Sequence, residues 1–524
     1  MRIKPKIGLM SKIGLMLSAA VLMSGCSTFP EYIKTAIKLP DSWQAKLPKE
    51  AVSNDKLPHN GNVNQLIDWW GQFNDPALNQ LLKAAEEDNP TIDIALTNIK
   101  SVRASSISAA AQGLPSVKGN ASITRSQSAT SNSINSLSGI STSTVGALDA
   151  RWEIDLFGGI KFAKQAAEAR VEAKQNDWHT ARVSLAAEVA TNYVDYRACQ
   201  LSVTAYQQAM TSKNETSRLT KVLSDAGFSA PADAALAEAS LRSTESSLIN
   251  QQAQCDNTVK ALVALTNITE PALREILLTG DTKTLPQLAE FNVESVPANL
   301  ITQRPDLIAD ERNLAAASAD TGVATANRYP SLSLIGSIGR SKISGNSFSS
   351  NGNTWSFGPS LSLPIFDGGQ LKSQVTIAEA NYAIALATYQ QDVRSAVKEV
   401  EQTLVNLDSA VRRESAEKIS AAQYSNYYKA AEINWRAGGI SLITLEDARR
   451  QLITAELSHI TQQKDCVQYW IALYKVLGGG WQATDSETKK EQPAEKVNTP
   501  STRNVTIGKE TKIDNETKSN ESKK

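Results

Sequence analysis

The chain lacks an excess of charge of either sign, since 54 lysines and arginines face 54 aspartates and glutamates over 524 residues. A neutral balance leaves no electrostatic footprint for nucleic acid, and none is expected as a partner. Histidine is scarce: His59, His179 and His459 lie far apart, with no acidic or cysteine partner at ligand spacing, so no metal site is expected. Four of the five methionines fall within the first 26 residues, and Met210 alone cannot form a methionine relay for copper. No phosphate-binding loop is present, because Gly478-Gly479-Gly480 closes a helical stretch instead of opening one. With no catalytic constellation and no cofactor expected, any energy-requiring step belongs to a partner.

What is present begins with a leader. Arg2, Lys4, Lys6 and Lys12 precede the apolar run Ile13–Met23, the pattern of a secretory signal peptide over residues 1–25. The run closes on Leu22-Met23-Ser24-Gly25-Cys26, which resembles a bacterial lipobox and implies lipidation at Cys26, with Met23 where that pattern prefers Leu. Residues 26–60 then read as a lipidated N-terminal segment. At the other end, 481–524 is rich in Lys, Glu, Asn, Thr and Ser; it reads as a disordered polar tail, since such a composition buries too little surface to fold.

Between these ends the sequence says the same thing twice. Asn89-Pro90 returns as Arg304-Pro305 and Leu114-Pro115-Ser116-Val117 as Tyr329-Pro330-Ser331-Leu332, both shifted by 215 residues. Beyond Lys161 and Lys372 the shift settles at 211, so that Gly227 maps to Gly438 and Cys255 to Cys466. A unit this long is a duplicated architecture, because solenoid repeats run about 20–50 residues. We divide the chain into repeat 1 (61–270), a linker (271–297) and repeat 2 (298–480).

Each repeat opens on a helical stretch; in the first, Trp69 to Gln112 is helix-compatible, with a kink or restart at Asn89-Pro90. The period then changes to two, the mark of a strand. Trp355, Phe357, Pro359, Leu361, Leu363 and Ile365 alternate with small and polar residues, and Leu148, Ala150, Trp152, Ile154 and Leu156 with mostly charged ones. With partners at 116–126 and 331–341, these make one hairpin per repeat, about 116–157 and 331–366, with polar loops at 127–142 and 342–353. Four strands, oily on one side, match a membrane barrel wall but cannot close one, since about eight is the practical minimum. Either the sheet is soluble or several chains pool their strands.

After each hairpin comes a long helical tract. Lys161–Ser224 contains neither proline nor glycine, enough for a rod of about 96 Å at 1.5 Å per residue. A turn around Gly227 returns the chain to about Leu265; in repeat 2 the tracts run from about Gln370 to a turn at Gly438 and on to about Leu477. Recurrent charges exclude a membrane helix, and coiled-coil hairpins are expected. Cys199 and Cys255 each lie 28 residues from Gly227, placing them at one height. An exported protein meets an oxidising compartment, so they form either a disulfide or two buried thiols; Cys466 faces Ala410 and stays free.

Taken together, Trp69-Trp70 through Asp75-Pro76, Trp152 through Gly158, Gln303-Arg304-Pro305-Asp306-Leu307 and Pro364 through Gly369 resemble the TolC-type outer-membrane efflux factors, in their lipoprotein branch often called the NodT family. The resemblance implies an α+β membrane protein: a homotrimer whose twelve strands form one barrel in outer-membrane lipid and whose helices form a periplasmic α-barrel. It implies an exit duct of a tripartite efflux pump, passing drugs or other toxic solutes from a periplasmic adaptor and an inner-membrane transporter of the resistance-nodulation-division type. At the tips it implies adaptor contacts through Gly227, Ser229, Asp233, Gly438 and Ser441, and a gate formed by Ile443, Asp447 and Arg450. Glu446 and Ala232 stand where the family usually has Leu. Residue types alone leave Asp447 and Arg450 as either a surface ion pair or a charged ring. A type I secretion duct of the same fold, or a coiled-coil surface protein without membrane strands, are the competing readings.

Overall fold

The computed structural model describes residues 69–127, 140–279, 301, 303–345 and 349–479, with isolated positions at 29–30, 32–34, 43, 45 and 284–286. The leader, Cys26, most of 26–60, most of the linker 271–297 and the tail 481–524 lie outside the described residues. The described residues all fall within one compact unit that ends at Trp481.

The opening helical stretch is two helices, α1 (Pro76–Asp88) and α2 (Pro90–Ala111). Asp75 caps α1, its Oδ1 accepting from the amides of Ala77 at 3.0 Å and Leu78 at 3.3 Å. Asn89 restarts the chain: its side chain accepts from the Thr91 amide at 2.9 Å, and Pro90 takes the first helical turn, where no amide hydrogen is needed. The hairpin of β1 (Ser116–Gln127) and β2 (Ile140–Ile154) follows. The first arm is α3 (Gly159–Asp225) and α4 (Pro231–Thr266), succeeded by α5 (Glu270–Leu278). Repeat 2 supplies α6 (Pro305–Ala326), β3 (Ser331–Gly345), β4 (Ser349–Ser362) and a second arm of α7 (Gln370–Arg436) and α8 (Leu442–Val476).

The duplication survives in detail. Helices α2 and α6 are both 22 residues long, and α3 and α7 both 67. Asn89 donates from Nδ2 to the Leu265 carbonyl at 2.9 Å, and its counterpart Arg304 donates from Nη1 to the Val476 carbonyl at 3.0 Å. Each repeat thus ties the start of its first long helix to the end of its return helix. Gly478 completes the second tie by close approach: at φ +90°, a Cβ there would stand 2.8 Å from the Arg304 Cα.

The strands form one antiparallel sheet in the order β1-β2-β3-β4. Strand β3 runs four residues past its expected end and β4 begins at Ser349, so most of the loop expected at 342–353 is strand, and 346–348 lie outside the described residues. The Ser- and Asn-rich segment keeps its ladder, pairing Lys342 with Asn351 and Ser344 with Ser349, because polar side chains are no obstacle to pairing beyond an apolar band. At its other end β4 stops at Ser362, leaving Leu363 and Ile365 past the strand. No described helix is long and apolar enough to cross a membrane.

The core sits where the arms meet α1 and α5. Trp69 is buried against Trp470 and Tyr474, with Leu78, Leu81, Leu262, Leu277 and Leu314 filling the space between helices. Within it, Tyr193 donates to Asp75 Oδ2 at 2.6 Å and accepts from Arg197 at 2.9 Å. Burial, then the Asp75 carboxylate, raises the Tyr193 phenol well above its ordinary value. The Trp69–Pro76 motif is therefore the keystone of the helical belt.

Candidate functional site

Two regions carry the chemistry that the sequence points to: the arm tips and the apolar face of the sheet. Both tips use one turn. Gly227 (φ +77°) and Gly438 (φ +75°) occupy the left-handed position that ends a helix, their amides bonded to Ser224 and Trp435 carbonyls at 2.9 Å. The following amides reach Leu223 and Asn434 carbonyls at 2.8 Å, completing the same motif twice. Ser229 donates to Asp233 at 3.0 Å, and Ser441 caps α8 by accepting from the Thr444 amide at 3.3 Å. Phe228 stands exposed at the first tip.

Asp447 and Arg450 meet at 2.6 Å on the exposed side of α8, and Ile443 lies exposed one turn earlier. One residue along, Glu446 and Arg449 repeat the same acid–arginine spacing with the opposite fate. A shift of one position turns a helix by about 100°, so the second pair points inward: the Arg449 side chain is 2% exposed and Glu446 11%, against 72% for Arg450 and 48% for Asp447.

The inward pair organises four helices. Arg449 contacts Glu446 on its own helix, donates to Ser212 at 3.0 Å and Thr216 at 3.1 Å on α3, and reaches the Tyr428 hydroxyl on α7 at 3.2 Å while lying over that ring. Glu446 accepts from Ser240 of α4 at 2.8 Å and lies 3.6 Å from Lys213 of α3. Burial, only partly offset by Glu446, lowers the Lys213 ammonium from its ordinary value. Glu446, read from sequence only as a departure from a usual Leu, is thus the centre of a buried clamp between the arms. The repeated spacing was the visible signal; which pair faces inward depends on helix phase.

Cys199 and Cys255 are joined in a disulfide, with their Cα atoms 5.6 Å apart, beside Val203. Cys466 is free, and burial, with Glu414 and Asp465 nearby, pushes its thiol up to about 12. His459 Nε2 lies 3.2 Å from Glu414 Oε1, a partner across the second arm that sequence spacing did not reveal. Burial, then Arg182, pulls His179 down to about 4. Among the described residues no group of side chains is arranged to hold a metal.

On the sheet, residues directly paired across strands share a face. Leu148, Ile338 and Trp355 form one row, Ala150, Gly336 and Phe357 the next, and Trp152, Leu334 and Pro359 a third. That face is apolar and exposed, while Asp149, Arg151 and Glu153 line the other. Two outer strands, β1 and β4, are left without a second neighbour.

An amphipathic sheet fragment carried on long paired helices fits part of the wall of a membrane duct. The chain belongs to the outer membrane efflux protein family, which matches residues 81–267 and 296–479. It is 29% identical over 475 residues to the solvent efflux pump outer membrane protein SrpC of Pseudomonas putida, covering 89% of this chain and 98% of that one. It is 30% identical over 467 residues to nodulation protein T of Rhizobium leguminosarum bv. trifolii, covering 87% and 94%. The structure of the outer-membrane channel OprN superposes with a TM-score of 0.74 at 29% identity, covering 87% of this chain and all of that one. The protein is an efflux channel of the outer membrane, TolC-like in fold, with its helical arms in the periplasm.

Proposed function

We propose that three copies assemble into the exit duct of a tripartite pump. The observation that carries this is the four-stranded sheet with two unpaired edges and an apolar face. An open edge is not tolerated in lipid, and three chains pooling four strands close an even, twelve-stranded barrel. The arms then line a tunnel toward the inner membrane, and a proton-driven transporter of the resistance-nodulation-division type, with a periplasmic adaptor, supplies both energy and selectivity. Small toxic solutes are the cargo; one relative is a solvent efflux pump component by name. A lipid on Cys26 anchors the chain to the same membrane.

Gly227, Ser229, Asp233, Gly438 and Ser441 offer the adaptor its contacts, and Ile443, Asp447 and Arg450 form the constriction. Three carboxylates around an axis repel one another and favour cations, while each adjacent arginine neutralises its partner. Deleting the gene should sensitise cells to drugs, dyes or solvents, and cross-linked protein should migrate at three times the chain mass. Unchanged sensitivity across a broad panel, or a monomer in membranes, would overturn the proposal. Asp447→Ala should raise single-channel conductance in planar bilayers; an unchanged conductance removes Asp447 from the constriction.

A further inference from the structure

The half of each hairpin farthest from the helices carries charge of one sign only. Between Gly119 and Leu148 the sole charged residue is Arg125, and between Ile338 and Thr354 the only two are Arg340 and Lys342. No carboxylate occurs in either stretch. Each cation could have fallen on either side of the sheet, yet the register puts all three on one. Arg340 pairs with Gly146 and Asn353, one row beyond Leu148 and Trp355; Lys342 pairs with Thr144 and Asn351, one row further; Arg125 pairs with Thr142. All three therefore share the face of Trp355 and Phe357, the side that meets lipid if the strands form the proposed barrel.

On that face the strands carry no other charge, and toward the helices from Trp355 it is uncharged. The opposite face holds a balanced set, Lys118 and Arg151 with Asp149 and Glu153, in which Arg151 donates to Ser333 at 3.4 Å and Asn120 to Asp149. Arg125, Arg340 and Lys342 are exposed, and among the described residues they make no ion pair or side-chain hydrogen bond. Trp355, 79% exposed at the edge of the apolar band, marks the depth at which aromatic rings meet headgroups. The cations lie one to three rows beyond it, each row about 7 Å further along the strand.

We infer that Arg125, Arg340 and Lys342 form a rim that binds the phosphate groups of lipid headgroups in the exterior-facing leaflet. Its occupant is a sugar-headed lipid bearing phosphomonoesters, of the lipid A kind. Charge complementarity selects it: a guanidinium takes two phosphate oxygens at once, an ammonium adds a point charge, and no carboxylate competes. Segments 128–139 and 346–348 contain no charged residue, so the sequence gives the outer half of the two hairpins no charge besides these three cations. Three copies would place nine cations around the barrel. The inference rests on the proposed barrel, and its test separates the two.

The test titrates the purified full-length protein in detergent with diphosphorylated lipid A, with its dephosphorylated form and with inorganic phosphate, reading bound lipid by native mass spectrometry. Each cation near an anionic surface contributes about fivefold, so Arg125→Gln/Arg340→Gln/Lys342→Gln should weaken retention of diphosphorylated lipid A by at least tenfold. Arg340→Gln alone should weaken it a few-fold. Dephosphorylated lipid should bind the parent and the triple variant equally, and millimolar inorganic phosphate should not displace the lipid. Lys118→Gln/Arg151→Gln, which removes two positive charges from the other face, should leave retention unchanged. Equal retention by parent and triple variant, equal binding of the dephosphorylated lipid to the parent, or an equal loss in the opposite-face variant would overturn the inference. Conductance in planar bilayers is the control: a parent that forms no pore breaks the barrel reading itself, and a conducting triple variant shows that loss of lipid is not loss of fold.

Discussion

The two arms have helices of the same length and the same turn, but their rungs differ. At one rung the first arm has the Cys199–Cys255 disulfide, where the second has Ala410 and Cys466. At another, Ser217 donates to Glu238 at 3.1 Å in the first arm, while in the second Arg449 donates to Tyr428 at 3.2 Å and is buried. Backbone and turn chemistry were kept through the duplication, while the cross-links diverged. The first arm is held by a covalent bond within itself, and the second by a charged cluster that reaches into the first. Identical scaffolds can therefore be given different stiffness by a few side chains at equivalent heights.

The strongest way to break this difference is at Glu446. Glu446→Leu leaves Arg449 and Lys213 buried without their carboxylate and should cost the tip about 3–5 kcal/mol, read as faster backbone hydrogen exchange over 440–452. Combined with Lys213→Met and Arg449→Met, most of that loss should return; no recovery would mean that packing, not charge, holds the tips. Next in size is the disulfide. Cys199→Ala/Cys255→Ala should lower stability by about 2–4 kcal/mol, seen as a lower melting temperature. The converse, Ala410→Cys, should form a bond to Cys466 and remove that thiol from a count made in denaturant. A persistent free thiol would show that the second arm's rung is not superposable on the first.

A comparable effect depends on pH. His179 is held near 4 in the folded protein against an ordinary 6.5, so below 6.5 the unfolded chain binds the proton first and stability falls as pH drops toward 4. Replacing it with the residue at the equivalent place in the second arm, His179→Gln, should remove roughly 2–3 kcal/mol of that fall between pH 7 and pH 4. An unchanged difference between the two pH values would mean that the ring is solvated. The smallest effect on stability should come from Asp447→Asn: the exposed pair with Arg450 is worth under about 1 kcal/mol, so melting should barely move.

Much of this was legible in the chain. Proline and glycine punctuation set the arm ends to within a residue or two, and equal spacing about Gly227 put the two cysteines at one height. Period-two alternation found the strands, but it fades in the Ser- and Asn-rich segment 342–353, where ladder hydrogen bonds need no pattern of side chains. The buried clamp escaped for a different reason. Asp447–Arg450 and Glu446–Arg449 have the same composition and spacing, and only the packing of α3 and α7 decides which one is inside. The pairing of His459 with Glu414 is likewise invisible in sequence spacing, because Glu414 comes from the other limb of the hairpin.

The disulfide lies at the tip-side edge of the buried belt, just beyond Tyr196 and Val259. An unzipping of the first arm that starts at its turn meets a covalent bond there and is arrested before it reaches the belt. In the second arm the same fracture meets non-covalent contacts, Arg449 with Tyr428 and His459 with Glu414, and no covalent bond at Ala410 and Cys466 before Leu407 and Val467. The rivet makes the first arm the fixed jaw of the pair and leaves the second as the one that can yield.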